Sequence, residues 1–142
     1  MEDKALKLLG LMRVAKAIEI GADRAADAAA AGRARLLLLA SDSPESALRK
    51  AEHALAGKRA IRLRLPFTRE ELAGALGVGD CTMAAVTDMG FAEALLKELS
   101  AIDASSYAAA AAELSARYEK MRRRKSEKGS KGQEKTNGKR RT

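Results

Sequence analysis

Aromatic residues make up only 3% of this chain, and tryptophan is absent. The interior therefore has to be filled by alanine and leucine, and helices built from such small side chains must lie close to the sheet they cover. Cysteine occurs once, which excludes an internal disulfide and makes a reducing compartment the economical expectation. Cys81 and the lone His53 cannot build an ordinary zinc site, so neither a metal nor a cofactor is expected. No run approaches the roughly 18 consecutive apolar residues that a membrane span requires. The start Met1-Glu2-Asp3-Lys4 does not read as a signal peptide, and a soluble, cytoplasmic protein is expected.

What the chain does have is a hydrophobic fraction of 46% and a formal charge of +8, unevenly placed over 142 residues. Residues 117–142 hold 12 Lys/Arg and 3 Asp/Glu, net +9, while residues 1–116 hold 15 and 16, net −1. The length allows one core and an appendage, and the positive field belongs to the C-terminal part.

The core should form around Leu36-Leu37-Leu38-Leu39-Ala40, an apolar run too short for a helix and stopped by Ser41-Asp42-Ser43-Pro44. Such a run reads as a strand buried on both faces, in the middle of a sheet. Before it, Ala5, Leu8, Leu9 and Met12 recur at helical spacing, Ala17 to Ile20 alternates as a brief strand, and Gly21 opens an alanine helix that Gly32 closes. After it, Ser43 is positioned as an N-cap with Pro44 at the first helical position, and Gly57 ends that helix. Ala60 to Leu65 alternates apolar residues with arginine, as an edge strand does. Thr68-Arg69-Glu70-Glu71 is a capping box with Phe67 and Leu72 placed to staple it, and the helix it opens ends at Gly77. A loop to Cys81, a strand from Thr82 to Thr87, and a helix capped by Asp88 with Phe91, Leu95, Leu96 and Leu99 facing inward complete the pattern. Strands alternating with helices predict a layered α/β domain over residues 1–101.

Beyond it, Tyr107, Ala111, Leu114, Tyr118 and Met121 form one apolar stripe on a helix over residues 102–121, with two readings open: a surface for a protein partner or a second copy of the chain, or a face folded back on its own domain. From Arg122 to Thr142 apolar residues vanish, and the composition predicts a basic disordered tail. Its clusters, Arg122-Arg123-Arg124-Lys125 and Lys139-Arg140-Arg141, suit polyanions held by counterion release; a merely solubilising tail is the plainer reading.

Several strings, in order, resemble the superfamily of kink-turn RNA-binding ribosomal proteins of the L-seven-Ae type, and most closely its small bacterial YlxQ-type members. They are Leu8-Leu9-Gly10-Leu11, Gly21 ten residues ahead of Gly32, Ala34-Arg35-Leu36 into Ala40-Ser41-Asp42, Arg69-Glu70-Glu71-Leu72 with Leu76-Gly77, and Ala85-Val86-Thr87-Asp88 before Gly90-Phe91-Ala92. The resemblance implies a three-layer α/β/α sandwich around a four-stranded mixed sheet, and a non-catalytic RNA-binding function, possible ribosomal RNA included. Family members grip a kinked RNA with a Gly-x-Asn-Glu start to the second helix, a lysine one turn on, and an apolar loop before the last strand. Here the motif reads Gly21-Ala22-Asp23-Arg24, with Asp27 in place of the lysine, and the loop spans Val78 to Thr82. Only the glycine matches cleanly.

The RNA-contacting candidates are accordingly Lys16, Gly21, Ala22, Asp23 and Arg24, with Val78, Gly79, Cys81 and Thr82 from the loop and Arg122, Arg123, Arg124 and Lys125 from the tail. Two readings stand for Asp23, Arg24 and Asp27: a modified RNA-reading edge, or the solvated face of an alanine helix with acids near its positive end. Lys16 and Arg13 are either phosphate contacts or ordinary surface cations. Cys81 has no neighbouring base to activate it, and Asp42, Asp88, Glu70 and Glu71 have capping roles, so catalysis is not expected. The alternative function is an interaction module that keeps the fold, has lost RNA reading, and uses the Tyr107 to Met121 stripe.

Overall fold

The computed structural model of the chain describes residues 3–139, with side chains as far as residue 124. Among the described residues, β1 (Ile18–Ile20), β2 (Leu36–Leu39), β3 (Ile61–Arg64) and β4 (Met83–Val86) form one sheet in the order β1-β4-β2-β3. β2 is parallel to β3 and antiparallel to β4, and β4 is antiparallel to β1, so three strands point one way and β4 the other. The leucine run holds an interior place with all four side chains buried. At roughly 1.5 to 3 kcal/mol for each side chain taken from water, it is a major contributor to stability.

Alternation along the strands divides the interior in two. Leu37 and Leu39, with Met83 and Ala85, meet α2 (Ala22–Ala30) and α3 (Glu45–Leu55) through a layer made mostly of alanine. Leu36 and Leu38, with Ala84 and Val86, meet α1 (Lys4–Val14), α4 (Arg69–Leu76), α5 (Met89–Ile102) and the first part of α6 (Ala104–Lys139). The result is a three-layer α/β/α sandwich on a mixed four-stranded sheet. Ala25, Ala28 and Ala29 are at most 1% exposed, the close approach that the lack of aromatics requires.

The local signals act largely as read. Thr68 Oγ1 accepts from Glu71 N at 3.1 Å while Glu71 Oε1 accepts from Thr68 N at 2.9 Å, and Phe67 and Leu72 are buried beside this box. Gly77 caps α4 at φ 70°, and Asp88 accepts from Phe91 N at 2.9 Å. β3 lies at the sheet edge with Arg62 and Arg64 in water.

One expectation needs correction. Ser43 does not cap α3: its hydroxyl donates to the Thr82 carbonyl at 2.7 Å, and Pro44 occupies the N-cap with no side-chain bond. Phe91 packs half-buried against the core, and Met89 and Ala92 join Leu95, Leu96 and Leu99 on the inner face of α5. The apolar stripe of α6 is folded back onto its own domain. Tyr107 and Leu114 belong to the main core, with Ala111, Tyr118 and Met121 packed against it. Tyr107 donates to the Arg64 carbonyl at 2.5 Å, Ser115 to Glu93 Oε2 at 2.8 Å, and Arg117 to the Arg59 carbonyl at 2.7 Å. The stripe between Tyr107 and Met121 therefore packs on its own domain, the second of its two readings. The helix is continuous to Lys139, so no break at residue 122 is seen among the described residues. Lys, Arg, Glu and Gln are good helix formers and extend a helix whose first turns are already docked. The side chain of Lys125 and the cluster at 139–141 lie outside the described side chains.

Candidate nucleic-acid interface

Because β1, β2 and β3 share one direction, the helices that follow them all begin at the same end of the sheet. The N-termini of α2, α3 and α4 gather there with the positive ends of their dipoles, and α2 and α3 carry no side-chain cap. β4 runs the other way and starts at that end, so the loop feeding it arrives there too. Gly21 N donates to the Met83 carbonyl at 3.0 Å, which ties the α2 start directly to the exit of the Val78–Thr82 loop. Thr82 is held from a second side by Ser43 Oγ and by Ala40 N at 3.2 Å. Gly21 sits at φ 107°, a conformation that side-chain-bearing residues rarely adopt, and open space surrounds the position where a Cβ would be. The glycine is thus required by the backbone turn and also leaves a clear approach to the helix end.

Charges at this end largely neutralise one another. Lys50 Nζ lies 2.5 Å from Asp23 Oδ1 and holds that carboxyl below its ordinary pKa, chiefly through the hydrogen bond. Arg69 grips Asp80 with two bonds, Nε to Oδ1 at 3.1 Å and Nη2 to Oδ2 at 2.8 Å, which lowers the Asp80 pKa and raises that of Arg69. Asp42 accepts from Arg69 N at 2.8 Å. The loop is anchored to the start of α4, with Val78 and Gly79 left exposed beyond the anchor. Arg24, one residue past Asp23, is exposed and has no side-chain partner among the described residues.

The chain resembles no family model, and no curated protein matches it. Solved structures do match. A Bacillus halodurans C protein of unknown function is 26% identical, with a TM-score of 0.63, over 69% of this chain and 98% of its own. A 15.5kD RNA binding protein of Giardia lamblia is 19% identical, with a TM-score of 0.54, over 70% of this chain and 84% of its own. Both share the fold.

Of the residues picked from sequence, Gly21, Ala22, Asp23, Arg24, Val78, Gly79 and Thr82 are brought to one end of the sheet. Cys81 is brought there but buried, 1% exposed, with Sγ donating to the Met83 carbonyl at 3.5 Å. Burial pushes its pKa up. It is a core side chain and not a contact surface. Lys16 is at the other end of β1, because Ala17 accepts from Thr87 N while Gly21 bonds Met83. Five residues at about 3.3 Å each put roughly 16 Å of extended chain between Lys16 and Gly21. Arg13 packs on Gly77, where an added Cβ would come within 2.9 Å of its Nη1. Arg122 pairs with Glu119 at 3.0 Å and lies over the Tyr118 ring at 4.7 Å, whereas Arg123 and Arg124 are exposed and have no ion pair among the described residues. Sequence reasoning missed Lys50, 27 residues from the Asp23 it neutralises. Only the packing of α3 beside α2 makes that pair visible.

Among the described residues, no group of three His, Cys, Asp or Glu is placed to hold a metal ion, and no helix is long and apolar enough to cross a membrane.

Proposed function

We propose that the chain is a non-catalytic RNA-binding protein that docks structured RNA, of the kink-turn kind, on the sheet end formed by Gly21 to Arg24 and the loop from Val78 to Thr82. The observation that carries this reading is the direct tie between Gly21 N and the Met83 carbonyl, which makes the α2 start and the loop one continuous surface. Amides at helix starts suit phosphates and base edges, and the exposed apolar Val78 suits an unstacked base. The name of the Giardia lamblia protein points to the same partner class.

Asp23 is an acceptor suited to the donor edge of a guanine, and Lys50 supplies a cation beside it where Asp27 replaces the family's lysine. Arg24, without a side-chain partner among the described residues, is a cation for a phosphate. The basic residues from Arg122 onward add affinity without sequence choice. The protein-interaction alternative relied on the Tyr107 to Met121 stripe, which the core occupies.

The test is binding of the full chain to a kink-turn RNA and to a straight duplex of equal length. Arg24→Ala should weaken the kink-turn complex alone, by about 1 kcal/mol or more, whereas ending the chain at residue 121 should weaken both and flatten the salt dependence. Equal affinity for the two RNAs would refute specific docking.

A further inference from the structure

At the sheet end away from Gly21, α6 crosses the turns that precede β2 and β3 and leaves a cleft of about 330 Å³. Arg35, Lys58, Arg59, Arg117, Lys120 and Arg124 line it, and no carboxylate of the described residues does. Ala34, Met89 and Leu114 give it an apolar floor. Glu113, the acid that pairs with Arg117, is outside the lining.

Arg35, Lys58 and Arg59 follow the ends of α2 and α3, where cations complement the carbonyl ends of helices. From α6, Arg117 pairs with Glu113 and donates to the Arg59 carbonyl, whereas Lys120 and Arg124 have no such explanation. Arg117, Lys120 and Arg124 recur at steps of three and four on one helical face, a cationic stripe spanning about 10 Å at 1.5 Å per residue. Lys58, Arg59, Lys120 and Arg124 have no side-chain partner among the described residues. Arg35 Nε is buried with no hydrogen-bond acceptor among the described residues. A buried guanidinium donor without an acceptor is costly, and gathering like charges about one cleft is unfavourable unless an anion enters.

We propose that this cleft is a second RNA contact, taking the phosphodiester backbone of a single-stranded segment while the opposite end of the sheet holds a structured element. It rests on the RNA-binding reading above. The stripe is longer than one phosphate group, which favours a strand over a small phosphorylated ligand. One copy of the protein then bridges two RNA segments separated by the length of the strands, about 13 Å for four residues.

The experiment uses the full chain and a fluorescein-labelled 12-nucleotide oligouridylate. Replacing Lys58, Arg59 and Lys120 by alanine should weaken binding about ten-fold near 100 mM salt and reduce the log–log salt slope by about 2, since each cation contributes roughly 0.7 for a single strand. Arg24→Ala should leave this oligomer unaffected, and that contrast separates failure of the cleft from failure of the kink-turn docking. In the unaltered protein, ultraviolet crosslinks from a 4-thiouridine oligomer should fall on the peptides holding residues 57–60 and 117–121. Unchanged affinity and slope, or crosslinks confined beyond residue 125, would overturn the proposal. Displacement of the oligomer by uridine monophosphate at sub-millimolar concentration would overturn the strand in favour of a small phosphate ligand.

Discussion

Truncating Leu114 to alanine asks whether the C-terminal helix is structural. Leu114 is 0% exposed and sits in the main core with Tyr107, so the change removes a fully buried side chain. Leu→Ala at such sites costs about 2 to 5 kcal/mol, lost transfer energy plus the cavity left behind. Were α6 an independent helix, the same change would be neutral or slightly stabilising, because alanine is the better helix former by a few tenths of a kcal/mol. The two accounts differ in sign. Urea unfolding followed by far-ultraviolet circular dichroism suits a chain without tryptophan. With a slope of about 1.5 kcal/mol per molar urea, a 3 kcal/mol loss moves the midpoint down by about 2 M. A midpoint unmoved within about 0.3 M would refute the docking of α6.

Tyr107→Phe should cost about 1 to 3 kcal/mol in the same assay, since the Arg64 carbonyl loses its donor. Thr68→Ala should lower stability by about 1 kcal/mol through loss of the capping box, with Glu70→Ala as a near-neutral control. Cys81 should react with a thiol reagent in the native state far more slowly than in urea, because burial raises its pKa and closes access; equal rates would contradict its burial. The Arg69–Asp80 anchor depresses the Asp80 pKa, so its contribution is present above about pH 4 and is lost as pH falls through the lowered native value. An NMR titration of the Asp80 carboxyl should give a midpoint below that of the Asp80 group in an Arg69→Ala variant.

The parts legible in the sequence are those set by local chemistry. The four leucines announce a central strand because the run is too short for a helix and is stopped by turn formers, and Thr68 to Glu71 announces a helix start because both partners lie within one turn. Ser43 was misread for the complementary reason: its hydroxyl serves the Thr82 carbonyl, 39 residues away, and no window around position 43 contains that acceptor. The stripe on α6 was visible, but amphipathicity says only that a face will be covered. Its covering by Arg64, Glu93 and the core is a tertiary fact. At the candidate interface the glycine and the loop were legible, while the Lys50 to Asp23 pair and the position of Lys16 at the far end of β1 depend on strand direction and helix packing.

The central claim is that structured RNA meets the protein at the α2 start and the loop beside it. Amide chemical shifts of the full chain, followed as a kink-turn RNA is added, test this most directly. The account predicts large changes at Gly21, Ala22, Arg24, Val78 and Gly79 that a straight duplex does not produce. Shifts confined to α6 and the residues after it, the same for both RNAs, would contradict it.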